Sequence, residues 1–173
     1  MIEYRIKSVG GYAEKIGELV SMLEYSRAVT LDEVRGLVQK DLDFLTNKSS
    51  NTIGAILLHI ASIEFVHQVI SFDERDINEV ELQKWKTALE LGQQARSEIR
   101  KNDIEHYLTE LAQVREQTLA TLKDFSDEWL FAEKQWENGI PYNNYYLWFH
   151  VLEDEINHRG QIRAIKRVLS ESK

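Results

Sequence analysis

The chain has 173 residues, with 21 basic and 29 acidic side chains, one proline and no cysteine. Without cysteine there are no disulfides, thiolate metal sites, cysteine-ligated iron–sulfur clusters or cysteine nucleophile, so any metal must be held by nitrogen and oxygen. A formal net charge of −8 argues against a nucleic-acid partner, which favours a basic excess or patch.

The length fits one domain over residues 1–173, large enough for a sizeable core. The opening MIEYRIKSVGG has an acid at position 3 and no apolar stretch, so it does not read as a secretory signal. The longest run of hydrophobic residues, Tyr145 to Phe149, is far below the roughly 18 that span a bilayer. No membrane partner is expected, and the cytoplasm is the default location.

A first helix is expected from about Gly11 to Tyr25, with Ile16, Leu19, Val20 and Leu23 on one face. Thr30-Leu-Asp-Glu33 has the form of a capping box and predicts a short continuation starting there. Asn51 or Thr52 can cap a second long helix carrying Ile53, Ile56, Leu57, Ile60, Ile63, Val66 and Ile70, which ends near Ser71. Residues 74–102 are polar, less periodic and only partly helical. Asn102 or Asp103 can cap a third long helix containing Ile104, Leu108, Leu111, Val114, Leu119 and Leu122. Residues 125–144 read as a loop with a Gly139-Ile-Pro141 turn, its Trp129, Phe131 and Trp136 packed over a core edge. A last helix is expected from Asn143 or Asn144 to Leu169. The predicted fold is all-α: an up-down four-helix bundle with a short additional helix and long connections.

The informative residues are polar groups placed where helices should be apolar. On the last helix, Leu147, Val151, Ile162, Ile165 and Leu169 define a stripe, and His150, Asp154 and His158 fall inside or at its edge. An ionised Asp removed from water without a partner costs several kcal/mol, so a cation should face it. Asp154 and His158 stand four apart and rise from one face, a spacing that can share a metal with a third ligand from a neighbouring helix. His59 and His67 lie in the apolar arc of the second helix, with Glu64 near its border. His67 sits two turns past His59, about 12 Å along the axis. The same residues also suit a purely structural network, with His150 bonded to Asp154 and His158 paired with a glutamate. Of Glu153, Asp154 and Glu155, only Asp154 is expected along the stripe, with Glu155 facing solvent or a partner helix. His106 has no supporting pattern and should be exposed. A second apolar row, Tyr145, Phe149, Leu152 and Ile156, runs on roughly the opposite side and points to a homodimer contact or to an interior position.

The segment Phe149-His-Val-Leu-Glu-Asp-Glu-Ile-Asn-His-Arg-Gly-Gln-Ile162 resembles the last-helix signature of the DinB family of four-helix proteins, a histidine followed four residues later by His-Arg-Gly-Gln. Leu57-Leu-His-Ile-Ala-Ser-Ile-Glu64 is similar to that family's second-helix motif. Gly10-Gly-Tyr12 with Leu19-Val-Ser-Met-Leu-Glu-Tyr-Ser-Arg27 is loosely similar to its first helix. The resemblance implies a divalent metal held by His59, Asp154 and His158, with Asp154 standing where the common pattern has histidine. Aspartate keeps a ligand but adds charge, which moves preference from zinc or nickel toward iron or manganese, with zinc still competent; loss of the metal, with Asp154 salt-bridged, is the alternative. His150 is a further ligand or supporting partner.

Relatives with assigned activities imply a metal-dependent transferase using a low-molecular-weight thiol of the bacillithiol type, acting on an unknown small molecule. Glu64 and His150 are the candidate catalytic groups, as proton acceptor or ligand-orienting residue. The alternatives are a metal-dependent hydrolase and a non-catalytic, stress-related bundle protein that keeps a polar core network instead of a metal. With no cysteine of its own, the chain needs any reacting thiol to arrive as a cofactor.

Overall fold

In the computed structural model, which describes residues 2–171, four long helices carry the fold: α1 (Glu14–Val34), α3 (Ile53–Ser71), α6 (Ile104–Thr121) and α8 (Asn144–Glu171). Between them lie α2 (Gln39–Leu42), α4 (Glu79–Glu90), α5 (Gly92–Glu98), α7 (Asp127–Phe131) and a hairpin of β1 (Glu133–Gln135) with β2 (Pro141–Asn143). The all-α bundle is as expected.

Local chemistry sets the helix starts. The Thr52 hydroxyl accepts from the Ala55 amide at 3.1 Å, and the Asp103 carboxylate accepts from the His106 amide at 3.0 Å. Asn143 Oδ1 accepts from the Tyr146 amide at 2.8 Å at the head of α8. In the polar 74–102 stretch, Asn78 and Glu81 form a reciprocal capping box that starts α4. The box expected at Thr30 is absent. Nothing between Tyr25 and Thr30 breaks the helix, so α1 continues to Val34 and the Thr30 hydroxyl donates to the Ser26 carbonyl one turn back. The expected loop at 125–144 contains α7 and the hairpin, whose strands of three residues are too short for their alternation to show.

Side-chain pairings give the helix directions. α3 runs antiparallel to α8, since His59 meets His158 while Ser71 meets Trp148. α3 and α6 run parallel, as Glu64 meets Arg115 and Gln68 meets Thr118. α1 is parallel to α8 through Arg27–Glu155 and Glu33–Arg163. The order is therefore up, down, down, up, because the segment through α4 and α5 returns along the bundle before α6 begins.

The core has two apolar halves. One is built on α1, α7 and the first half of α8 around Leu19, Leu23, Leu130 and Trp148. The other is built on α3, α4, α6 and the second half of α8 around Ile56, Ile60, Leu111 and Ile162. Each such fully buried aliphatic side chain contributes about 1.5–3 kcal/mol. Between the halves, the long helices place Arg27, Glu64, Arg115 and Glu155 in the interior, one from each and all 5% exposed or less, with Arg159 of α8 buried beside them at 7%. Glu155, expected to face solvent or a partner helix, is 1% exposed and turned toward partner helices, because it lies one turn from Val151 and Arg159 on the buried row of α8.

α3 is long and apolar enough by length and composition to cross a membrane, and 72% of that stretch is buried inside the fold. Its polar residues His59, Ser62 and Glu64 break up the hydrophobic run, so counting consecutive apolar residues overlooks it. Near the start of α1, Gly17 lets residues 8 and 9 cross the helix. A Cβ there would lie 2.7 Å from the Val9 amide nitrogen. Gly17→Ala is expected to cost about 1–3 kcal/mol, the range for overpacking, read as a lower midpoint in urea unfolding.

Candidate metal centre

His59, Asp154 and His158 come together on the α3–α8 seam, each offering a ligand atom within 4.8 Å of the others. Their side chains are 10%, 12% and 12% exposed. Asp154 Oδ1 is 3.2 Å from His158 Nδ1 and 3.7 Å from His59 Nε2. The two imidazole rings stand 4.5 Å apart between centroids.

Both rings are oriented by backbone carbonyls. His59 Nδ1 donates to the Ala88 carbonyl on α4 at 2.9 Å. That carbonyl is free because the chain turns sharply after Glu90: Leu91 has φ 53 and Gly92 φ 71, and the Gly92 amide donates to Asn51 Oδ1 instead. His158 Nδ1 donates to the Asp154 carbonyl at 3.0 Å, one turn back in α8. A carbonyl only accepts, so each Nδ1 carries the hydrogen and each neutral ring keeps its lone pair on Nε2.

The electrostatics suit a cation. Burial alone would raise the Asp154 carboxyl, but hydrogen bonds from His158 and His59 outweigh it and hold the group ionised, well below the usual range. Burial pulls His158 down, and the Asp154 carboxylate more than reverses this, so its proton affinity is raised. Asp154 Oδ2 is buried without a hydrogen-bond partner. Two Nε2 lone pairs and one orphaned carboxylate oxygen form a two-histidine, one-carboxylate donor set, a recognised arrangement for divalent first-row metals with open positions. The residues fit the ion.

The other candidates lie elsewhere. Glu64 is fully buried, and Arg27, Arg115 and Thr118 direct four donors at its oxygens at 2.7–3.0 Å. Its lone pairs are taken, which removes the proton-acceptor role expected for it. The two arginines outweigh the cost of burial and hold its carboxyl below the usual range. His150 has a 42% exposed side chain, and its Nδ1 is 3.2 Å from Glu153 Oε2 rather than bonded to Asp154. His67 is buried, with Nδ1 donating to the Ile63 carbonyl at 2.7 Å. His106 is exposed, as expected. Arg27 and Arg115 escaped the sequence reading. Their signal was available: each is a charge inside an apolar stripe, Arg27 between Leu23 and Thr30, and Arg115 between Leu111 and Thr118.

Fold and site together define a four-helix bundle with a candidate His/Asp/His metal centre on the seam of two antiparallel helices. A family model described as "Mycothiol-S-transferase" matches residues 18–170. The chain belongs to the mycothiol-S-transferase family, one of the DinB-like families. No curated protein matches the chain. Among solved structures, an uncharacterised protein from Clostridium difficile 630 superposes with a TM-score of 0.67 at 12% identity, over 88% of this chain and 95% of that one. A protein from Streptococcus pneumoniae gives a TM-score of 0.68 at 16% identity, over 97% and 94%. At these identities the likeness extends to the fold.

Proposed function

We propose that the protein is a metal-dependent transferase that joins a low-molecular-weight thiol to a small-molecule electrophile. The observation that carries this reading is the triad of His59, Asp154 and His158, with both histidine Nδ1 atoms committed to carbonyls, in a chain of this family. A divalent ion bound there supplies the Lewis acidity that lowers the pKa of a thiol or water at neutral pH. Asp154 balances part of the ion's charge, while the Ala88 and Asp154 carbonyls hold the two imidazoles in the ligating tautomer. With no cysteine in the chain, the nucleophilic sulfur belongs to a cofactor. His150, one turn from Asp154 on the solvent side, is placed to pass a proton outward.

The chain works as one domain, in the cytoplasm and as a homodimer. Support for the dimer is the second apolar row of α8, where Phe149 is 52% and Ile156 47% exposed. The first test is metal content of protein purified without a histidine tag. Wild type is expected to retain one tightly held divalent ion per chain through purification, and His59→Ala none. A wild type that takes up no zinc, nickel, iron or manganese on reconstitution would make the triad a structural polar network. With metal present, conjugation of a small thiol to an electrophile is the expected activity; turnover of ester or amide substrates without a thiol would make the protein a hydrolase.

A further inference from the structure

We propose that His67 and His150 form a second, weaker divalent-cation site on the solvent side of the triad. The two residues stand far apart in sequence, but α3 and α8 are antiparallel. Two turns beyond His59 on one helix therefore lies opposite one turn before Asp154 on the other. Their rings meet at 5.5 Å between centroids with planes 50° apart.

Each ring is prepared as the triad histidines are. His67 Nδ1 donates to the Ile63 carbonyl at 2.7 Å, the same bond to its own helix that His158 makes. His150 Nδ1 is bonded to the Glu153 carboxylate at 3.2 Å. The hydrogens are thus on Nδ1, so each neutral ring keeps its lone pair on Nε2, and two such lone pairs cannot hydrogen-bond to each other. A cation between them resolves this. With a metal–nitrogen bond of about 2.0–2.1 Å and tetrahedral angles, two ligating imidazoles have centroids roughly 5 Å apart, close to the spacing seen.

Burial lowers the proton affinity of His67, against the bond to the Ile63 carbonyl that raises it, and His150 lowers it again, so the ring is held toward the neutral form that ligates a metal; the nearby charges of Asp154 and Glu64 are of the sign that attracts a cation. His150 opens the pair to solvent, since its side chain is 42% exposed against 10–12% for the triad. Two imidazoles without a thiolate select zinc, nickel or copper(II) over magnesium or manganese. With two protein ligands and no carboxylate, and with an ion in the triad nearby, this site should bind at least about 10- to 100-fold more weakly than the triad, since loss of an outer-shell partner alone costs that much.

The experiment is a calorimetric titration of chelator-stripped full-length protein with Zn(II). Wild type should take two equivalents per chain, in a tight and a weak step. His150→Ala, which alters an exposed side chain, and His67→Gln, which keeps a polar group in the interior, should each remove the weak step and leave the tight one. His59→Ala should do the reverse. A single equivalent that His59→Ala removes, or a weak step that survives in the His67→Gln/His150→Ala double variant, overturns the proposal. A weak step lost in that double variant, with no tight step in wild type, overturns the triad reading instead and leaves this one standing.

Discussion

Glu64→Ala is expected to cost about 3–5 kcal/mol of stability, the range for breaking a buried ion pair by removing one partner. The side chain is fully buried and accepts from Arg27, Arg115 and Thr118. Its removal leaves two guanidinium groups in the interior with Glu155, the half-exposed Glu24 and the Leu111 and Leu23 carbonyls to satisfy them. Each kcal/mol moves the midpoint of a chain this long by about 2–4 °C, so thermal unfolding should begin roughly 6–20 °C lower. Urea unfolding monitored by helix content measures the same quantity. A loss below about 1 kcal/mol would show that the arginines find water through the 970 Å³ groove between α1 and α6, which both of them line.

The same residue sets a pH dependence. Its folded pKa is depressed, because the charges of Arg115 and Arg27 outweigh the cost of burial. Its contribution is therefore fully present above the ordinary glutamate value near 4.3 and is lost as pH falls through the depressed folded value. Acid unfolding of wild type should steepen in that window, and Glu64→Gln, which is already neutral, should lose the steep part while starting from a lower stability.

The ion layer also explains what could be read from the sequence. The long helices were legible because their apolar residues recur at helical spacing and because Thr52, Asp103 and Asn143 are capping residues just ahead of them. Asp154, His158 and His59 were legible as polar groups in apolar stripes, and the resemblance marked the three as one ligand set. Reading one helix at a time could not reveal that Arg27, Glu64, Arg115 and Glu155 meet, since each finds its partner on another helix. Taken singly, Glu155 could face solvent or a partner helix and Glu64 looked like a catalytic acid; only the pairing across the bundle makes both structural. The parallel run of α3 and α6 was hidden for a similar reason, because direction depends on how the polar 74–102 segment crosses the bundle. The carbonyl that orients His59 comes from this segment as well.

The proposed metal centre gives the second large effect. His158→Ala and Asp154→Ala should each abolish stoichiometric metal, since either removes one of three ligands. Asp154→His, which gives the histidine of the DinB signature that the last helix resembles, should keep the metal and shift preference from manganese and iron toward zinc and nickel, measured by competition among the ions. The pH response separates this centre from a structural polar network. In the metal-free protein His158 has a raised pKa, because its bond to the Asp154 carboxylate outweighs burial. That partnership is fully stabilising below the ordinary histidine value near 6.5 and fades as pH rises through the raised folded value, so metal-free stability should fall across that window. Metal binding requires the same imidazole to be deprotonated, so metal affinity, and the stability that it adds, should rise over the same window. The melting temperatures of the metal-free and metal-loaded protein should therefore diverge as pH increases. Asp154→Ala should flatten the first curve and remove the second, whereas a network with no ion would give one falling curve whether or not metal is added.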